Sequence, residues 1–195
     1  MCSSDFKNFS RDEFREMTDN IVKFLGKNGL YVETKEGDAL KLNAFRSNLL
    51  FPELLFKLGL TGHREERFLI KLECQDQLVD YRNIVENIRG CGFYFTMPAP
   101  PASILCAMKV AAMLNRQKGR DFYDAMFLCS QTLPDFDFFE QRTGITNLKE
   151  LKDLVLKVIS DADLKNKMRD FEHLLFNKSN SSRILHAADF FSKLQ

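Results

Sequence analysis

The chain has 195 residues, 45% of them hydrophobic and 28% charged, with a formal net charge of +1. That length carries one core, or one core with a helical extension, and excludes two large independent domains; the composition excludes disorder as the main state. A charge so close to zero excludes a global electrostatic pull toward nucleic acid or membrane, so an anionic ligand has to be held by a local cluster of cations. With 19 phenylalanines and no tryptophan, much of the core volume is phenyl ring. Cys2, Cys74, Cys91, Cys106 and Cys129 form no CxxC pair and read as reduced thiols. No apolar run approaches the roughly 18 residues of a membrane span, and MCSSDFKNFSRDEF lacks the basic start and apolar centre of a secretory signal, so the expected location is the cytoplasm, with no membrane partner.

In chain order, SRDEFREMTDNIVKFLGKNG predicts a helix opened by a capping box, Ser10 with Glu13, and closed at Gly29. LYVET and ALKLNAF alternate as strands do and are separated by KEGD, which predicts a hairpin. SNLLFPELLFKLGL predicts a short helix ended by Gly59, with Pro52 in its first turn. ERFLIKLECQ predicts a strand with Phe68, Ile70, Leu72 and Cys74 on a core face, and Arg67, Leu69, Lys71 and Glu73 on a charged one. GCGFYFTMPAPP predicts a last strand, stopped by Pro98, Pro100 and Pro101. Everything after it has helical periodicity: 103–116, 120–130, a short stretch at 136–142, then 147–159, 163–176 and 182–194, with the polar NKSNSS as a loop. The expected class is α+β, a small mixed sheet in residues 1–98 followed by a helical half over 99–195, divided at the PAPP segment.

The densest charge lies at RQKGRDFYD, residues 116–124, directly after the alanine-rich helix ASILCAMKVAAMLNR. Lys109 and Arg116, seven residues apart, fall within about 20° of each other on one helix edge, at the margin of the apolar stripe. After the Gly119 turn, Asp121 and Asp124 lie on neighbouring positions near the start of the next helix, where the helix dipole favours carboxylates. On the residues alone two readings stay open. The charges form a structural network, with Asp121 capping and Arg116 or Arg120 paired to it, or they form a site for an anionic ligand. His63, His173 and His186 have no zinc-ligand spacing, and no glycine-rich phosphate loop occurs.

The run KVAAMLNRQKGRDFYDAMFL, with PAPPASILCAM before it, resembles the signature of the AbiEii-type nucleotidyltransferase family, the toxin components of type IV toxin-antitoxin and abortive-infection systems. Upstream, ERFLIKLECQ resembles the strand that supplies that family's later acidic residue, here Glu73 with Lys71 beside it in a supporting place. The resemblance implies a nucleotidyltransferase-like fold and the transfer of a nucleotidyl group from a nucleoside triphosphate to an acceptor. It implies magnesium as cofactor, GTP among the candidate donors, RNA as a candidate acceptor, and a cognate antitoxin. By the same resemblance Lys109, Arg116, Lys118 and Arg120 would bind the triphosphate. Lys109, Asp124 and Glu73 would be catalytic, Glu73 and Asp5 would hold the metal, and Asp121 would be supporting.

The family's N-terminal GS turn and Asp-x-Asp pair are not seen. Asp5 in SSDFKNF aligns with the first aspartate, and Lys7 stands in place of the second, where a cation opposes metal binding. The expectation is that the coding region opens upstream of Met1, that the chain is trimmed, or that catalysis has been lost. The alternatives to an active enzyme are therefore a catalytically degenerate relative and a helical interaction module with a structural charged motif.

Overall fold

In the computed structural model, which describes residues 10–36, 44–75 and 79–195, the chain is α+β. It divides into two compact units, one within residues 5–78 and the other spanning 79–195. This division falls ahead of the PAPP segment, so residues 79–98 cluster with the helical half.

In the first unit, helix α1 (Arg11–Lys27) begins at Ser10, whose hydroxyl accepts from the Glu13 amide at 3.2 Å while the Glu13 carboxylate accepts from the Ser10 amide at 2.6 Å. Those hydrogen bonds hold the Glu13 carboxyl below its ordinary value. The chain leaves the helix through Gly29, at φ 79. Strands β1 (Glu33–Glu36), β2 (Ala44–Phe51) and β3 (Phe68–Gln75) form an antiparallel sheet in that order. The hairpin expected between LYVET and ALKLNAF is corrected: β1 pairs with residues 47–50 of β2, beyond ALKLNAF, and Lys35 and Glu36 of the expected KEGD turn belong to the strand, while residues 37–43 lie outside the described residues.

The predicted helix over 47–60 is corrected. Residues 47–51 belong to β2, with Ser47, Leu49 and Phe51 all buried at a period of two, and only the single turn α2 (Leu54–Lys57) is helical. Pairing along the whole of β3 outweighs the local helical spacing of the same leucines. The two expected faces of β3 are also corrected. Phe68 and Ile70 are exposed, and only Leu72 and Cys74 are partly covered.

In the second unit, β4 (Ile84–Gly90) and β5 (Phe93–Ala99) form an antiparallel hairpin. Its turn residues, Cys91 at φ 50 and Gly92 at φ 82, both lie in the left-handed region, as a two-residue type I′ turn requires. Strand β4 is absent from the sequence expectations, and Pro98 is accommodated near the end of β5 instead of stopping it.

The helices follow: α3 (Ala102–Arg116), α4 (Gly119–Cys129), α5 (Phe136–Thr143), α6 (Leu148–Ser160), α7 (Leu164–Phe171) and α8 (Ala187–Ser192). The helix expected over 163–176 breaks after Phe171 into a 3₁₀ turn, Glu172–Leu174. NKSNSS, expected as a loop, and the start of the last predicted helix are wound into 3₁₀ turns over Lys178–His186. The core packs small residues of α3 (Ala107, Val110, Ala111) against Phe122 and Ala125 of α4, with Phe139, Leu151, Val155, Ile184 and Phe191 closing around them. Small side chains on one helix let the other approach closely, which fixes the relation between the α3 and α4 charges.

Two buried thiols lie in this interface, with Cys106 Sγ 3.4 Å from Cys129 Sγ. The hydrogen bond to Cys106 and burial push the Cys129 thiol far above its ordinary value, so it has almost no thiolate character. Exposed Cys91 should therefore be alkylated by iodoacetamide in the native protein while Cys106 and Cys129 stay unmodified until denaturant is added, as read by peptide mass spectrometry. The folded thiol ionises at higher pH than the unfolded one. Its contribution to stability is thus complete below about pH 8.5 and is lost as the pH rises further. Native labelling of Cys129 as fast as Cys91 would contradict this burial.

Candidate functional site

Pro101 precedes α3 and, with φ −55 and ψ 152, holds the approach extended. Helix α3 stops at Gln117, which takes the left-handed conformation at φ 52, an uncommon state for a residue with a Cβ. The chain turns at once into α4. Lys109 and Arg116 therefore stand on the outgoing helix, Lys118 on the turn, and Arg120, Asp121 and Asp124 on the returning helix.

The two aspartates have different tasks. Asp121 is only 2% exposed; its Oδ2 accepts from the Lys118 amide at 3.2 Å and its Oδ1 accepts from Arg116 Nη2 at 2.5 Å. One carboxylate thus caps α4 and anchors the guanidinium, whose side chain remains 55% exposed. Asp124 Oδ2 accepts from Lys109 Nζ at 2.7 Å and lies 3.7 Å from Arg120 Nε. Asp124 thus holds Lys109, and Asp121 both caps and pairs with Arg116. Asp124 lies in the second turn of α4, however, so the helix-dipole argument applies to Asp121 alone.

Four cations, Lys109, Arg116, Lys118 and Arg120, surround two carboxylates, which leaves two positive charges on one helix-turn-helix. The Lys118 ammonium has no carboxylate partner among the described residues. Glu73 and Lys71 sit on β3, in the other compact unit. Glu73 Oε1 accepts from Arg46 Nη2, its cross-strand neighbour, at 3.0 Å, and Lys71 lies opposite Asn48. Asp5 lies outside the described residues. A carboxylate held by a guanidinium is a poor start for a divalent site, and no group of three metal-ligating residues occurs among the described residues.

Sequence reasoning missed Arg46 and Lys167. Arg46 could be found only from the β2–β3 register. Lys167, on α7, donates to the main-chain carbonyl of Gln117, fifty residues away, and no local pattern signals that.

The α3–α4 turn thus gathers four cations, of which Lys109, Arg116 and Arg120 are held by two carboxylates. A family model described as the nucleotidyl transferase AbiEii toxin of type IV toxin-antitoxin systems matches residues 4–183, and the chain belongs to that family. Comparison with curated proteins and with solved structures found no match. Among the described residues no helix is long and apolar enough to cross a membrane.

Proposed function

We propose that this protein is a nucleotidyl transferase toxin whose α3–α4 turn binds the polyphosphate of a nucleoside triphosphate and whose acceptor is RNA. The supporting observation is the surplus of two positive charges among Lys109, Arg116, Lys118 and Arg120, three of which are held by the two carboxylates. Arg116 is oriented by a buried carboxylate, so its free guanidinium edges are preorganised for phosphate oxygens, and little side-chain entropy remains to be lost on binding. Lys109, held by Asp124, would meet the phosphate nearest the reacting centre and stabilise charge growing there as pyrophosphate departs. Lys118 and Arg120 would add charge at the rim. Magnesium enters the proposal with the triphosphate, since that ion is held by one or two carboxylates together with substrate phosphates.

A second reading, nucleotide binding without transfer, is favoured by the Arg46–Glu73 pair, which occupies the carboxylate proposed for catalysis. The cognate antitoxin would act on either form. Incubation with each of the four α-³²P ribonucleoside triphosphates, magnesium and total RNA separates the readings. Label transferred to RNA with release of pyrophosphate supports the transferase. Saturable triphosphate binding with no label transferred supports the second reading, and absence of both defeats the proposal.

A further inference from the structure

The charged turn is held from outside its own motif. Gln117 ends α3 in a left-handed conformation, and its carbonyl is among those a helix C-terminus leaves without an intrahelical donor. The Lys167 ammonium donates to that oxygen. It also lies 5.7 Å from the centre of the Phe122 ring, so the C-terminal dipole of α3 and an aromatic face both favour its charge where nearby cations oppose it. Helix α7 itself is fixed. Asp163 caps it by accepting from the Asn166 amide at 3.1 Å, and Phe171 packs on Tyr123 of α4 with ring centres 5.5 Å apart. At Gly119 the two backbones approach so closely that a Cβ would fall 1.8 Å from the Lys167 carbonyl oxygen.

We infer that Lys167 is a positioning residue for triphosphate binding: by holding the Gln117 carbonyl it sets the turn that presents Arg116, Lys118 and Arg120 together. The link to nucleotide rests on the function proposed above; the link to the turn does not. Fixing the Gln117 carbonyl fixes the peptide plane that carries the Lys118 amide, which in turn donates to Asp121 at 3.2 Å. Asp121 holds Arg116. A cation on α7 thereby bears on the direction of a guanidinium on α3.

Lys167→Met keeps the length and apolar stem but removes the donor, and Lys167→Arg restores a cationic donor. Binding of each ribonucleoside triphosphate to the full chain is measured by titration calorimetry with magnesium present, beside the urea midpoint and amide hydrogen exchange of residues 117–121. In Lys167→Met, Kd should rise about tenfold, the scale of one charge-assisted hydrogen bond, and exchange at the turn should quicken. Lys167→Arg should return Kd to within about twofold of the parent, as expected if the donor is what matters. A lowered midpoint with unchanged Kd would make Lys167 merely structural and overturn the inference. If the parent binds no triphosphate, the proposed function fails by itself. Hydrogen exchange then decides the clamp, and unchanged protection at 117–121 in Lys167→Met overturns it.

Discussion

Gly119→Ala is expected to destabilise the protein by about 3 kcal/mol or more, the upper end of overpacking costs. Gly119 lies at the first position of α4 and has no need of a positive φ, so the requirement is for space. An added methyl would stand 1.8 Å from the Lys167 carbonyl oxygen, 2.7 Å from its carbon and 2.8 Å from Phe171 Cδ1. Two of those atoms are backbone in the middle of α7, so no rotamer change relieves the contact. Alanine improves helix propensity over glycine by about 1 kcal/mol, which works in the opposite direction and is the smaller effect. The urea midpoint should fall sharply, and turn amides 117–121 should lose protection because α7 has moved off them. A midpoint equal to the parent's would mean that α7 does not lie against the start of α4.

What could be read from the sequence divides along the same line. The α3–α4 pair was legible because each of its signals is local. A proline approach, an alanine-rich stripe and a glycine between two charged segments put Lys109 and Asp124 on adjoining helices, and the structure has them 2.7 Å apart. Gly119 was legible as a turn but not as a contact, since what fills its missing side-chain space is a carbonyl on α7. In the first unit, local spacing misled. The leucines near 49–55 suit one face of a helix, yet Leu49 and Phe51 alternate into the β2 core face once β3 is available as a partner. Strand β4 carries two charged residues, Glu86 and Arg89, and the amide Asn87 among its apolar ones, and it was hidden until the Cys91 and Gly92 turn paired it with β5. The chemistry of Glu73 depends on register as well. Its bond to Arg46 exists because residues 46 and 73 are directly opposite, a relation that neither strand displays alone.

Lys109→Ala is expected to leave folding nearly intact and remove nucleotide-dependent stabilisation, a separation that follows from the exposure of the pair. The Lys109 and Asp124 side chains are 32% and 26% exposed, so the bridge is neither a surface pair nor a sealed one. Breaking a fully buried pair costs about 3 to 5 kcal/mol because a charge is left uncompensated, whereas exposed pairs contribute about 0 to 1 kcal/mol. Here Asp124 retains Arg120 at 3.7 Å when Lys109 is removed, so the carboxylate keeps a cation and the cost should stay near about 1 kcal/mol. Asp124→Asn preserves shape but leaves Lys109 and Arg120 facing each other without the carboxylate, and should cost somewhat more than Lys109→Ala. A ligand at one hundred times its Kd stabilises a fold by about 2.7 kcal/mol. If Lys109 meets the polyphosphate, most of that increment should vanish in Lys109→Ala, a larger loss than the mutation causes in the free protein. Thermal unfolding of parent, single and double mutants, with and without each ribonucleoside triphosphate, measures both quantities. A fall of several kcal/mol in each single mutant, no further fall in the double mutant and an unchanged nucleotide increment would establish the pair as architecture and displace Lys109 from the proposed site.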